Sequence, residues 1–254
     1  MKLPADTDRW AALAALTPAR VALGRAGPSL PTREVLAFAL DHARARDAVH
    51  IPFDAADVAR QLAAFSFETL EVDSAAGDRP TYLRRPDLGR RLAPASRALL
   101  VGQSRPDVDV QVIVADGLSS TAVHAHAAPL LAALAPHAVA QGWRLGPIVL
   151  AHQARVALGD EIGELMGARL VVLLVGERPG LSSADSLGAY LTFAPRVGCT
   201  DAERNCISNI RPAGLGYEDA ASRIAWHVGE SLKRGYSGIM LKDESTSGRL
   251  SALD

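Results

Sequence analysis

Two kinds of apolar spacing divide the chain. In PTREVLAFALDHARARDAV, residues 31–49, Leu36, Ala39, Leu40 and Ala43 recur at helical spacing. Thr32 can cap this helix and Glu34 lies in its positive first turn. A second helix is predicted from Asp54 to Phe65. SAAGDRP, residues 74–80, reads as a loop, and Pro86, Pro94 and Pro106 interrupt the residues after it. The first part is therefore read as helical, with a domain change near residue 96.

Beyond that point strand, loop and helix repeat. VDVQVIVA (108–115) is a predicted strand, and APLLAALAPHAVAQG (128–142) a helix ended by Gly142. PIVLA (147–151) is a short strand, and GDEIGELMGA (159–168) a helix stopped by Gly167. LVVLLVG (170–176) is a further strand, residues 189–193 another, and residues 217–234 an amphipathic helix closed by Gly235. Strands apolar on both faces, alternating with helices, imply an α/β fold with a mainly parallel sheet covered on both sides. Ligands in such sheets bind outside the carboxyl ends of the strands. Three segments fall there: ADGLSS (115–120), ARVALGD (154–160), and Glu177-Arg178 at the end of the most apolar strand. No internal repeat or low-complexity tract is found, and the tail after Met240 is polar.

A length of 254 residues allows one large or two modest domains. The net charge of -1 argues against nucleic-acid binding, which needs a basic surplus. No apolar run approaches the roughly 18 residues of a membrane span. Two cysteines and no leader pattern predict a reduced, cytoplasmic protein.

The common motifs of catalysis are missing. The sequence has no G-x-G-x-x-G, P-loop, H-E-x-x-H, G-x-S-x-G or zinc-ligand quartet. Cys199 and Cys206 have no histidine near them and read as buried, inert thiols. His124 and His126, two positions apart, do not share a helix face and are read as solvated or core residues. Glu177 reads equally well as a rim salt bridge to Arg178 or Arg155 and as a ligand contact. Asp116-Gly117 can be a plain turn, and Arg155 a solvated surface residue.

Five segments carry a resemblance: GRAGPSLPTREVLAFALDHARARDAV (24–49), YLRRPDLGRRL (82–92), PDVDVQVIVADGLSSTAV (106–123), RVALGDEIGELMGARLVVLLVGERPGL (155–181) and CISNIRPAGLGYEDAA (206–221). In this order, over nearly the whole chain, they resemble the small subunit of ethanolamine ammonia-lyase. The resemblance implies a Rossmann-like, cobalamin-binding domain over residues 96–254, preceded by a smaller helical domain over residues 1–95. It implies a large barrel subunit as partner, which carries the substrate site, with adenosylcobalamin between the two; a higher hetero-oligomer is expected because symmetric multimers are common. The implied reaction turns ethanolamine into acetaldehyde and ammonia by radical chemistry that belongs to the cofactor. Cobalamin contacts carried over by position are Val156, Glu177 and Cys206. Arg155 is added as a guanidinium suited to the phosphodiester of the nucleotide loop. No D-x-H-x-x-G occurs, so the cofactor is expected to keep its own lower base. No acid, base, nucleophile or protein metal ligand is assigned to this chain. Only about two dozen residues precede GRAGP, a shorter lead than in members that work with a bacterial microcompartment, which favours free cytoplasm over encapsulation.

Overall fold

The computed structural model describes residues 14–17, 19–104 and 107–245; Pro106 and the tail beyond residue 245 lie outside them. Its strands are β1 (Thr69–Asp73), β2 (Val110–Ala115), β3 (Ile148–His152), β4 (Leu170–Gly176), β5 (Leu187–Phe193) and β6 (Arg204–Ile210). Among the described residues the α-helices are α1 (Thr32–His50), α2 (Ala55–Ala63), α3 (Arg79–Arg84), α4 (Pro94–Gln103), α5 (Ser120–Gln141), α6 (Leu158–Met166) and α7 (Tyr217–Arg234). The strands form one sheet in the order β1-β3-β2-β4-β5-β6.

The sheet is mixed rather than mainly parallel. β1, β3, β2 and β4 run parallel, whereas β5 is antiparallel to β4 and β6 to β5. The reason lies in the connections. Helical crossovers lead into β2, β3 and β4, and a parallel return needs such a crossover. No α-helix separates β4 from β5 or β5 from β6, so the chain doubles back. β1 falls in the segment read as helical. The expected boundary at residues 95/96 lies inside α4, with β1 before it and hydrogen-bonded to β3 after it.

Alternate residues of the central strands feed two cores. Val112, Val114, Leu150, Val172 and Leu174 pack with α2, α5 and α7. Ile113, Val149, Val171 and Leu173 pack on the other face, with Leu100 of α4 and Leu158, Ile162 and Met166 of α6. The first core continues under β5 and β6 through Ala189, Leu191 and Ile207. The second does not. On that face Tyr190 is half-buried, and Cys206 and Ser208 of β6 are exposed.

The amino-terminal end of the sheet is tied by one carboxylate. Asp109, just ahead of β2, accepts from Arg144 Nε at 3.0 Å and from Arg169 Nη1 at 3.2 Å. The Arg144 hydrogen bond lowers its pKa to about 2, from 3.8. A depressed carboxylate stabilises the fold above its unfolded pKa, and the gain is lost as pH falls through the folded value. Because both arginines are about half exposed, water reduces this to roughly 1 kcal/mol. Asp109→Asn is therefore expected to lower stability by about 1 kcal/mol near neutral pH, with the difference vanishing between pH 4 and about pH 2. Urea unfolding across that range checks it.

Candidate functional site

β2, β3 and β4 end side by side, and their outgoing loops are held together by a charged network. Asp116, 1 % exposed, closes β2. Its Oδ2 accepts from the Gln153 N–H and its Oδ1 from the Ala154 N–H, both at 3.0 Å. Gln153 needs this grip, because its φ of 51° is left-handed and unfavourable for a side-chain-bearing residue. Arg79 at the start of α3 completes the network. Its Nη1 lies 3.4 Å from Asp116 and donates to the Gly117 carbonyl at 2.8 Å, and its Nε donates to the Val49 carbonyl at 2.7 Å. Burial pushes the Asp116 carboxyl up, against the pull of the Ala154 amide and Arg79.

Tyr82 forms the next layer. Its ring is wedged between two guanidinia, with Arg79 at 4.8 Å and Arg155 at 4.2 Å from its centre, and its hydroxyl donates to the Ala154 carbonyl at 3.1 Å. Burial keeps this phenol protonated well above its usual range. Arg155 Nη2 donates to the Tyr82 carbonyl at 3.3 Å, while its buried Nε has no acceptor among the described residues.

These loops wall an open cavity of about 430 Å³ whose lining includes Gly117, Arg155, Val156, Glu177 and Tyr190. Arg155 and Val156 from one loop and Glu177 from another thus face one space. Cys206, the strand partner of Tyr190, lies beside this cavity and not among its lining residues. Glu177 does not form the rim salt bridge considered from sequence. Instead its carboxylate accepts from the hydroxyls of Ser186 and Ser208 and, at 3.2 Å, from the Asn209 N–H. A carboxylate has about four acceptor sites, so one remains for a ligand. Gly188 makes this placement possible, since a Cβ there would lie 2.9 Å from Glu177 Oε1.

Cys199 is buried, as expected, but Cys206 is exposed. The correction follows from strand parity: Ile207 takes the inward position, so Cys206 points to the uncovered side. Desolvation by its neighbours and the Glu177 charge hold its thiol above the usual range, against a hydrogen bond with Tyr190, so it is a neutral wall rather than a thiolate. His126 is a buried core residue contacting Tyr217 Oη at 2.8 Å and Asp185 at 3.3 Å, and His124 accepts from the Asp54 N–H at 2.9 Å. Among the described residues no cluster of His, Cys, Asp and Glu could hold a metal ion. The lining offers amide-compatible acceptors, a tyrosine ring and aliphatic surface. That chemistry suits the rim of a large macrocycle edged with carboxamides.

Arg79, Tyr82 and Tyr190 are not legible from sequence. Arg79 and Tyr82 sit in a six-residue helix, with Pro80 in its first turn, too short for a periodicity to mark them, and the alternation of β5 flags Tyr190 only once β6 is known to be its neighbour.

The family described as ethanolamine ammonia-lyase light chain matches residues 7–242. Among curated relatives, the ethanolamine ammonia-lyase small subunit of Ralstonia nicotianae is 58% identical, over 92% of this chain and 88% of its own length. That of Azotobacter vinelandii is 54% identical over 97% and 93%, and that of Pseudomonas syringae pv. tomato 53% identical over 98% and 88%. The chain belongs to the family of ethanolamine ammonia-lyase small subunits.

Proposed function

We propose that this chain holds adenosylcobalamin against a large barrel subunit, in a carbon–nitrogen lyase that converts ethanolamine to acetaldehyde and ammonia during ethanolamine breakdown. The observation that carries this reading is the open cavity faced by Arg155, Val156, Glu177 and Tyr190, with Cys206 beside Tyr190 on the neighbouring strand. Cavities of about 300–1,000 Å³ enclose drug-sized ligands. A cobalamin is much larger, so a space of about 430 Å³, open on one side, takes only part of it. The remainder needs a second wall, which the large subunit supplies.

Bound adenosylcobalamin supplies the radical, by homolysis of its cobalt–carbon bond. This chain's residues position it. Glu177 accepts from a peripheral carboxamide, Val156 gives apolar contact, Cys206 presents a small neutral wall, and Arg155 faces the phosphodiester of the nucleotide loop. The cofactor-holding part is residues 96–254, with β1 completing its sheet. The substrate site lies on the partner, and the pair assembles into a larger hetero-oligomer. No helix among the described residues is long and apolar enough to cross a membrane. We place the enzyme in the cytoplasm, free or within a bacterial microcompartment.

Reconstitution tests the proposal. The isolated chain is expected to be silent, with acetaldehyde appearing only when the large subunit and adenosylcobalamin are both added. Glu177→Gln should weaken cobalamin binding by the assembled enzyme about tenfold, the worth of one hydrogen bond to a charged acceptor. Activity of the chain alone, or unchanged affinity in the variant, would sink the reading.

A further inference from the structure

A second cavity, of about 450 Å³, adjoins the first and shares Arg155, Val156 and Tyr190 with it; Arg90, Asp201 and Arg204 supply the rest of its charge. These charges are not equally available. Arg204 is bound to Asp160, with Nη2 donating to Oδ2 at 2.7 Å, and its Nε lies 3.5 Å from Asp201, whose carboxylate extends into solvent. The other carboxylate in the first turn of α6, Glu161, is taken by Arg97. Among the described residues the Arg155 side chain has only the Tyr82 carbonyl and ring as partners, and its buried Nε has no acceptor. The Arg90 guanidinium makes no hydrogen bond or ion pair among the described residues. Two cations without carboxylates thus flank one opening. A guanidinium pair of this kind matches the paired oxygens of a phosphate group.

We propose that this second cavity is an anion subsite in which Arg90, together with Arg155, takes the phosphodiester of the cobalamin nucleotide loop. The inference rests on the cofactor reading above and adds an orientation to it. Because the two cavities share a wall, a corrin whose carboxamide edge meets Glu177 directs its nucleotide loop toward Arg90. Arg90 is exposed and pairs with nothing among the described residues, so its removal leaves the rest of the chain intact.

The test compares two corrinoids binding to the assembled enzyme: hydroxocobalamin, and cobinamide, which lacks the phosphodiester and base. Arg90→Gln is expected to weaken hydroxocobalamin about five- to tenfold, a charge-assisted contact partly screened by water, and to leave cobinamide unchanged. Arg90→Lys should recover part of the loss by restoring the point charge. Equal losses for both corrinoids, or none for either, overturn the subsite. So does inorganic phosphate that binds the wild-type complex at Arg90 without displacing hydroxocobalamin, since the anion would then be free phosphate. A wild-type complex that binds neither corrinoid sinks the cofactor reading itself, and the subsite with it.

Discussion

Asp160→Ala is expected to destabilise the chain by about 3–5 kcal/mol, the usual consequence of leaving one member of a buried ion pair without its partner. Asp160 on α6 and Arg204 at the start of β6 have side chains only 3 % exposed. The contact is bidentate, and Arg204 also donates to Thr192 Oγ1 at 3.1 Å and to the Cys199 carbonyl at 2.7 Å. Removing the carboxylate leaves a buried guanidinium with only the solvent-exposed Asp201 as counter-charge among the described residues. Against a typical total of about 5–15 kcal/mol, that is a large part of the stability. The neighbouring pair on the same helix gives the contrast. Arg97, paired with Glu161, is 55 % exposed, and Arg97→Ala should cost no more than about 1 kcal/mol. Replacing both Asp160 and Arg204 by apolar residues of similar size should recover most of the loss, because buried ion pairs and packed hydrophobic groups are often close in energy. Urea unfolding of the three variants decides the matter. A loss below about 1 kcal/mol for Asp160→Ala would show that water reaches Arg204. The pair also has a functional consequence: it clamps α6, which follows Arg155 and Val156, to the strand that carries Cys206.

What can be read in the sequence depends on whether a segment faces one environment or two. β2 and β4 are buried along their whole length, so the apolar run of β4 and, apart from Gln111, that of β2 mark them directly. The glycines expected to end helices, Gly142, Gly167 and Gly235, all adopt the left-handed conformation that stops a helix. The start of α5 lies earlier than the apolar spacing predicts. Ser119 caps it, with its side chain accepting from the Ala122 N–H, and Pro129 and Pro136 lie inside the helix. Thr32 is the first residue of α1, not its cap. β1 and β6 escape the sequence pattern for a shared reason: TLEVD and RNCISNI mix polar and apolar residues, because each keeps one face away from a core. With β6 hidden, so are the antiparallel edge and the bare face beside Cys206. The rim loops are legible because carboxyl ends of strands can be counted from the strands themselves. The Arg79–Asp116 network is not, since its members lie 37 positions apart and only the fold joins them.

That network supports the second large effect. Asp116→Ala should cost about 2–4 kcal/mol, from one buried and one part-buried N–H left without acceptors and from Arg79 left without a counter-charge. The damage is expected to be local before it is global. Without the carboxylate the left-handed backbone at Gln153 loses both amide contacts and keeps only the Ser74 hydroxyl on its carbonyl, so residues 153–156 should relax toward an ordinary conformation. Arg155 and Val156 would then leave the cavity wall while the sheet beneath stays intact. Hydrogen exchange reads this directly. In the variant the Gln153 and Ala154 amides should lose protection well before those of β2 and β4, and the assembled enzyme should bind cobalamin more weakly at temperatures where the chain is still folded. Tyr82→Phe is the graded control, because it deletes one hydrogen bond to the Ala154 carbonyl and keeps the ring between the two arginines, for about 1 kcal/mol. If Asp116→Ala raised exchange uniformly across the sheet and left cobalamin affinity unchanged in the surviving folded fraction, Asp116 would be a stability residue only. If the loss is confined to residues 153–156 and affinity falls with it, one buried carboxylate at the end of β2 sets the geometry of the loop proposed to meet the cofactor.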